Sequence, residues 1–252
     1  MRRRPARLAT ALGVPALALA APGLASAGTA APVVWVQPGH LPPLEPGYRD
    51  QTGAGSGPFG SEVAFTRRLA TAVEARLRAA GVDVRETPGR VTPDGASGAA
   101  FVSLHQGAPG DHAGVGSAVT GRGENWYHGE GEGTASPVPY PDSAPHRRPT
   151  TVSAAVARRS RALAADLAAR FRRVHTPANG AYGTFDGVEP ADGNVRMEHY
   201  YGFYRTRAAA RVIVECGPAD ADRSFLARVD LIAAAVAGGV VDDLRARGLL
   251  AR

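Results

Sequence analysis

Apolar residues follow two rhythms along this chain. Residues 33–37 form a short apolar run that stops at Pro38-Gly39, the mark of a buried strand leading into a turn. After Ser61, a residue type that caps helices, Phe65, Leu69, Val73, Leu77 and Ala80 recur at helical spacing until Gly81. Residues 82–87 alternate as a strand does, and 99–104 is another short apolar strand. Val152, Val156, Leu163, Leu167, Phe171 and Val174 mark a long amphipathic helix, 211–215 a buried strand, and Leu226, Val229, Ile232, Ala233, Val236, Val240 and Leu244 a C-terminal helix. Three stretches break the pattern. Residues 41–60 are rich in Gly and Pro and read as loop. Residues 106–149 have no usable periodicity and read as a long Gly/Pro-rich loop insertion, a length that signals function or disorder. Residues 175–207 are mixed, with a strand expected within 197–204. Strands alternating with helices predict an α/β fold: a single domain with a mainly parallel central sheet flanked by helices.

The N-terminus adds a second layer. Residues 1–7 are strongly basic, 8–24 are apolar around Pro15 and Pro22, and Ala25-Ser26-Ala27 offers a small-x-small cleavage site. This order predicts a signal peptide over 1–27, a short spacer over 28–32 and a catalytic domain over 33–252. The apolar run is short for a bilayer span of ~20 residues and holds two prolines, so no stable membrane insertion is expected after cleavage. Arg2-Arg3-Arg4 leaves twin-arginine export open beside the favoured general route. The expected location is secreted or cell envelope. The only cysteine is Cys216, so an exported protein of this sequence has no internal disulfide and depends on its core. All 29 basic residues are arginine, and the formal net charge is +6. A basic surface attracts polyanions. With few aromatics and no nucleic-acid motif, nucleic acid is excluded as the partner, and an anionic cell wall is the polyanion an exported bacterial protein meets.

Four polar residues fall where this architecture gathers ligands. His40 lies just past the first strand, Glu62 begins the first helix, and His105 and Glu215 are expected at strand ends. The carboxyl ends of parallel strands share one edge of the sheet, where ligands bind. Two imidazoles and a carboxylate suit a catalytic zinc, which keeps its fourth position open. A second carboxylate off the metal can take a proton from water and pass it to a leaving amine, a role that suits Glu215. Singly, each residue has a plainer explanation: a turn histidine, a carboxylate at a helix N-terminus, a core histidine. A carboxylate directly after Val212-Ile213-Val214 is the hardest to explain away, because burial demands a partner or a shifted pKa. Elsewhere, Asp111, His112, Glu124, His128, Glu130 and Glu132 crowd the long loop, as a second metal site, a glycan groove or a solvated loop. Trp126 and Tyr127 could stack on sugar rings or anchor the loop. Residues 198–201 (EHYY) could touch a peptide or pack. His146, Arg147 and Arg148 read as a solvated patch, and His175 as a cation at a helix end. Cys216 should face away from Glu215 as a buried thiol.

Four segments carry a family resemblance: 33–40 (VVWVQPGH), 53–62 (GAGSGPFGSE), 101–105 (FVSLH) and 212–217 (VIVECG). Through them the chain resembles the zinc-dependent N-acetylmuramoyl-L-alanine amidases of the amidase 3 type. The resemblance implies a phosphorylase/hydrolase-like α/β domain holding one zinc ion per chain on His40, Glu62 and His105, with Glu215 as catalytic acid/base. It implies peptidoglycan as the partner and hydrolysis of the amide between N-acetylmuramic acid and L-alanine; it leaves open whether a protein activator is needed. The chain departs from the family where Gln37 stands in place of a common Asp, where Gln106-Gly107 follows the third ligand, and in a short 88–98 segment. Loss of the Asp is expected to weaken support for His40. The alternatives are another zinc peptidase or amidohydrolase, carboxypeptidase-like or N-formylglutamate hydrolase-like, or a non-catalytic wall-binding protein. In a carboxypeptidase, however, the first His and Glu stand within a few residues, and here 22 positions (62 − 40) separate them.

Overall fold

Every second residue of the three central strands points to the same side of one sheet. The computed structural model describes residues 30–41, 53, 55, 57–87, 96–119, 121–122, 151–190 and 206–251; the expected signal peptide (1–27) and the strand expected within 197–204 lie outside them. The elements are β1 (Val33–Pro38), α1 (Glu62–Ala79), β2 (Asp83–Glu86), β3 (Ala100–Gly107), β4 (Ala113–Ser117), β5 (Gly121–Arg122), β6 (Thr151–Val152), α2 (Ala154–Val174), β7 (Phe185–Pro190), β8 (Arg211–Pro218), α3 (Arg223–Leu226) and α4 (Val229–Ala246). Six strands form one sheet in the order β2-β1-β3-β8-β4-β7, and β5 pairs with β6 apart from it.

Val34 and Val36 of β1, Ala100, Val102 and Leu104 of β3, and Val212, Val214 and Cys216 of β8 join one apolar core. Onto that face pack Phe65, Leu69, Val73 and Leu77 of α1, Leu163, Leu167 and Phe171 of α2, and Ile232, Val236, Val240 and Leu244 of α4. The core therefore sits between one sheet face and a helical layer, and each fully buried Leu or Phe contributes about 1.5–3 kcal/mol. Cys216 has no exposure and faces this core, as alternation requires. Serines cap the helices: Ser61 Oγ accepts from Ala64 N at 3.2 Å and Ser153 Oγ from Val156 N at 3.3 Å. Where α4 meets α2, a Cβ on Gly239 would stand 2.7 Å from Leu167 Cα. A mid-helix glycine costs about 1 kcal/mol in propensity, and here it lets two helices approach closely.

The intervening residues face the other side. Strand register places Trp35 beside Phe101 and Gln37 beside Ser103. It places Phe101 beside Arg211, Ser103 beside Ile213, and His105 beside Glu215. This second face carries polar side chains at its carboxyl end.

The structure differs from the sequence reading in three places. Within 106–149, read as loop, lies the strand β4 (Ala113–Ser117), buried along its whole length. A strand of sequence AGVGS covered on both faces has no polar alternation to betray it. β7 (Phe185–Pro190) likewise lies within the stretch read as mixed. β4 runs antiparallel to β8 and parallel to β7, so two strands at one edge oppose the other four and the sheet is mixed, mostly parallel. Finally, β3 continues to Gly107 and β8 to Pro218, so His105 and Glu215 lie within strands rather than at their ends. β4 lies beside β8, pairing Gly114 with Glu215. His175 stands at the C-cap of α2, the helix end read from the sequence, and there packs its ring against Phe171, Phe185 and Phe225 and bonds Asp222 at 2.5 Å.

Candidate metal centre

The first ligand candidate owes its place to a turn. After β1, Gly39 N donates to Leu104 O at 2.8 Å, and Gly39 O accepts from Thr66 Oγ1 at 2.9 Å. These bonds tie the turn to β3 and to α1. His40 follows with φ of 57°, the one positive φ of a non-glycine among the described residues. A left-handed conformation at such a residue costs about 1–2 kcal/mol, and strain of this kind collects at functional positions.

Glu62 opens α1 and is 3% exposed; His105 is 1% exposed. Glu62 Oε1 lies 2.9 Å from His105 Nδ1 and accepts from Gln106 N at 3.0 Å. Glu62 Oε2 lies 3.5 Å from His40 Nε2. The two imidazole rings meet edge to face, centroids 5.2 Å apart. Gly53 makes room for this: a Cβ there would stand 2.3 Å from Glu62 Oε2, and its φ of +65° suits glycine. One donor atom from each of His40, Glu62 and His105 lies within 4.8 Å of the others, and this is the one such group among the described residues.

The donor set fits zinc. A tetrahedral ion with bonds of 2.0–2.1 Å spaces its ligand atoms about 3.3 Å apart; here each Glu62 oxygen faces one imidazole, Oε1 at 2.9 Å from His105 Nδ1 and Oε2 at 3.5 Å from His40 Nε2, and the three donor atoms lie within 4.8 Å of one another. Electrostatics favour a cation too. Burial works to raise the Glu62 pKa, yet the hydrogen bond and charge of His105, the charge of His40 and the Gln106 N–H outweigh it and hold the carboxyl below its ordinary range. Burial works to lower His105, but its hydrogen bond to Glu62 and the charges of Glu215 and Glu62 prevail and raise it. The imidazoles thus sit in a negative pocket that a metal can share.

Glu215 stands next to His105 across the β3–β8 register, on the same face and outside the three-residue group. Burial pushes its pKa up to about 7, against the lowering charge of His105; Glu62 and Asp111 push further up, and His112 pulls down. A carboxyl poised near neutrality can give and take protons. Of the loop residues, Asp111 Oδ2 accepts from Ala108 N at 2.7 Å, closing a turn, and His112 stands 3.6 Å from Asp186. Glu124, Trp126, Tyr127, His128, Glu130, Glu132, His146, Arg147, Arg148 and residues 198–201 lie outside the described residues.

Three buried polar residues surround this group, of which the sequence singled out Gln37 and Gln106 only as departures from the family pattern and Ser103 not at all. Gln106 is 2% exposed, its Oε1 and Nε2 lack partners among the described residues, and a Cβ on Gly57 would strike them at 2.3 and 2.6 Å. Ser103 Oγ donates to Gln37 Oε1 at 2.9 Å and lies 3.0 Å from His105 Nε2. Gln37 is thereby linked through Ser103 to His105. The available signal was polar residues recurring at every second position of otherwise apolar strands.

No protein-family profile matches the chain, and no curated protein matches it by sequence. Solved structures do. The N-acetylmuramoyl-L-alanine amidase AmiC2 of Nostoc punctiforme is 19% identical, with a TM-score of 0.51 over 84% of this chain and 97% of its own. The N-acetylmuramyl-L-alanine amidase Ami1 of Mycobacterium smegmatis is 19% identical, with a TM-score of 0.50 over 86% and 99%. The CwlD amidase of Clostridioides difficile, solved in complex with the GerS lipoprotein, is 13% identical, with a TM-score of 0.50 over 85% and 99%. The chain therefore has the fold of these amidases: a mostly parallel six-stranded sheet flanked by helices. No helix among the described residues is long and apolar enough to cross a membrane.

Proposed function

We propose that this protein is a zinc-dependent amidase of peptidoglycan that hydrolyses the bond between N-acetylmuramic acid and the L-alanine of the stem peptide. The observation that carries this reading is the convergence of His40, Glu62 and His105, distant in sequence, to within 4.8 Å beside an unliganding carboxyl, Glu215, on the fold of such amidases. His40 and His105 offer ring nitrogens and Glu62 a carboxylate oxygen to one zinc ion per chain. Zinc, when bound there, supplies Lewis acidity: it polarises a carbonyl and lowers the pKa of water.

The chain's own residues do the rest. Glu215, its pKa pushed up to about 7 by burial, accepts a proton from the attacking water at a carboxylate oxygen. It then returns that proton to the nitrogen of the departing L-alanine, so the amide C–N bond breaks to a carboxylic acid on the muramic side and a free amine on the peptide. Glu62 stays ionised because its pKa is held down, which keeps it a metal-binding group rather than a second proton carrier. The catalytic domain is 33–252, exported by the leader over 1–27 to the cell envelope.

The test is digestion of purified peptidoglycan by the mature protein, with and without a chelator, and mass analysis of the fragments. Stem peptides with a new N-terminal alanine, lost on chelation and restored by zinc, are expected. New reducing sugar ends or shortened peptides would refute the amidase; intact wall tightly bound by zinc-free protein would make it a binding protein.

A further inference from the structure

We propose that Gln37 and Ser103 form a neutral relay that keeps a proton on His105 Nε2, making Nδ1 the nitrogen His105 presents to the metal; this rests on the zinc reading above. The strands build the relay. Gln37 and Ser103 are register partners across β1 and β3, and Ser103 and His105, two residues apart, share a face. All three are buried, at 0%, 0% and 1% exposure. Ser103 Oγ lies 3.0 Å from His105 Nε2 and 2.9 Å from Gln37 Oε1.

Proton counting gives the relay its direction. A hydroxyl has one proton. Given to Gln37 Oε1, that proton leaves Ser103 Oγ to accept, and the donor it meets is Nε2–H. The other ring nitrogen then faces the metal group: Nδ1 is 2.9 Å from Glu62 Oε1, and a Cβ on Gly39 would stand 2.7 Å from it. The hydrogen bond at one imidazole nitrogen decides which tautomer the other presents, and such outer partners change metal affinity by roughly 10- to 100-fold. An ionised carboxylate at position 37 would place a full charge behind the imidazole. The amide supplies the same acceptor geometry without that charge, so Gln37 is a positioning residue for His105 even though it stands where the resembling family has Asp.

The experiment measures zinc affinity of the mature protein by competition with a chromophoric chelator, alongside long-range proton–nitrogen NMR of histidine in the zinc-loaded protein. The wild-type spectrum should place the His105 proton on Nε2. Ser103→Ala should weaken zinc binding roughly 10- to 100-fold, and Ser103→Thr, which keeps the hydroxyl, should restore most of it. Gln37→Met, which leaves the serine free to turn, should give a smaller loss and cover the case in which Ser103→Ala does not fold. A proton found on Nδ1, or zinc affinity unchanged in both Ser103→Ala and Gln37→Met, overturns the relay while leaving the zinc site standing. Wild-type protein that takes up no zinc would instead overturn the zinc reading, and the relay with it.

Discussion

The two faces of one sheet obey different rules. On the helix-covered face, Val34, Val36, Val102, Leu104, Val212 and Val214 are interchangeable in kind: what matters is apolar volume. On the opposite face, the same strands at alternate positions carry Gln37, Ser103, His105 and Glu215, where Ser103 links Gln37 to His105 by hydrogen bonds and Glu215 lies beside His105 in register. A single residue of strand register separates scaffold from chemistry. The first face supplies stability, and the second presents groups whose burial is costly unless paired. Substitutions on one face should therefore be silent in the other face's assay.

The largest separation is expected from Glu215→Gln. It keeps the shape of the side chain and should lower amidase turnover by about 10²–10⁴-fold with zinc content unchanged by elemental analysis. Turnover at the wild-type level would remove Glu215 from the proton path. Next is the mirror experiment on the core face. Leu69→Ala, at a fully buried position of α1, should cost about 2–5 kcal/mol in denaturant unfolding yet leave turnover per folded molecule unchanged. A large drop in turnover of the folded fraction would show that the faces are coupled.

Acidity offers a finer probe. In chelator-treated protein, Glu215 ionises near 7 when folded against the ordinary 4.5, so between those values the folded state holds more protons and stability falls as pH rises. His105, raised above 6.5, adds stability below that value and loses it as pH climbs. Glu62, lowered from 4.5, stabilises above its unfolded value and loses this as pH falls. Thermal melts should thus decline from about pH 4.5 through 7, and Glu215→Gln should make that decline shallower. Parallel profiles in the two proteins would contradict the assignment. The smallest effect belongs to Gln106→Leu. Because both amide atoms are buried without partners among the described residues, removing them should be neutral or stabilising by about 1 kcal/mol, measured by Tm. A marked loss of stability would mean that the amide has a partner in solution.

Much of this division was legible in the chain. The runs VVWVQ, FVSL and VIVE announce strands, and the spacing of Phe65, Leu69, Val73 and Leu77 announces α1, because apolar burial writes its period directly into sequence. His40, Glu62, His105 and Glu215 stood out as polar residues at the ends of such runs, and the structure brings them to one place. β4 stayed hidden because Gly114 and Gly116 carry no side-chain rhythm, and burial on both faces erases alternation. The link from Gln37 to Ser103 needed strand register, which neither segment encodes alone. Gln106 showed only as a departure from a familiar motif, and its unpaired amide is a fact of packing.

Cys216, the only cysteine, lies shut in the core with its thiol pushed well above the ordinary pKa by burial and by the neighbouring charges of Glu215 and Glu62. Thiol reagents attack the thiolate, so this sulfur should be invisible to them until β8 parts from its helices. The chain thus carries its own opening clock: the rate of labelling at one atom reports how often the scaffold comes apart, without any added dye or engineered tag.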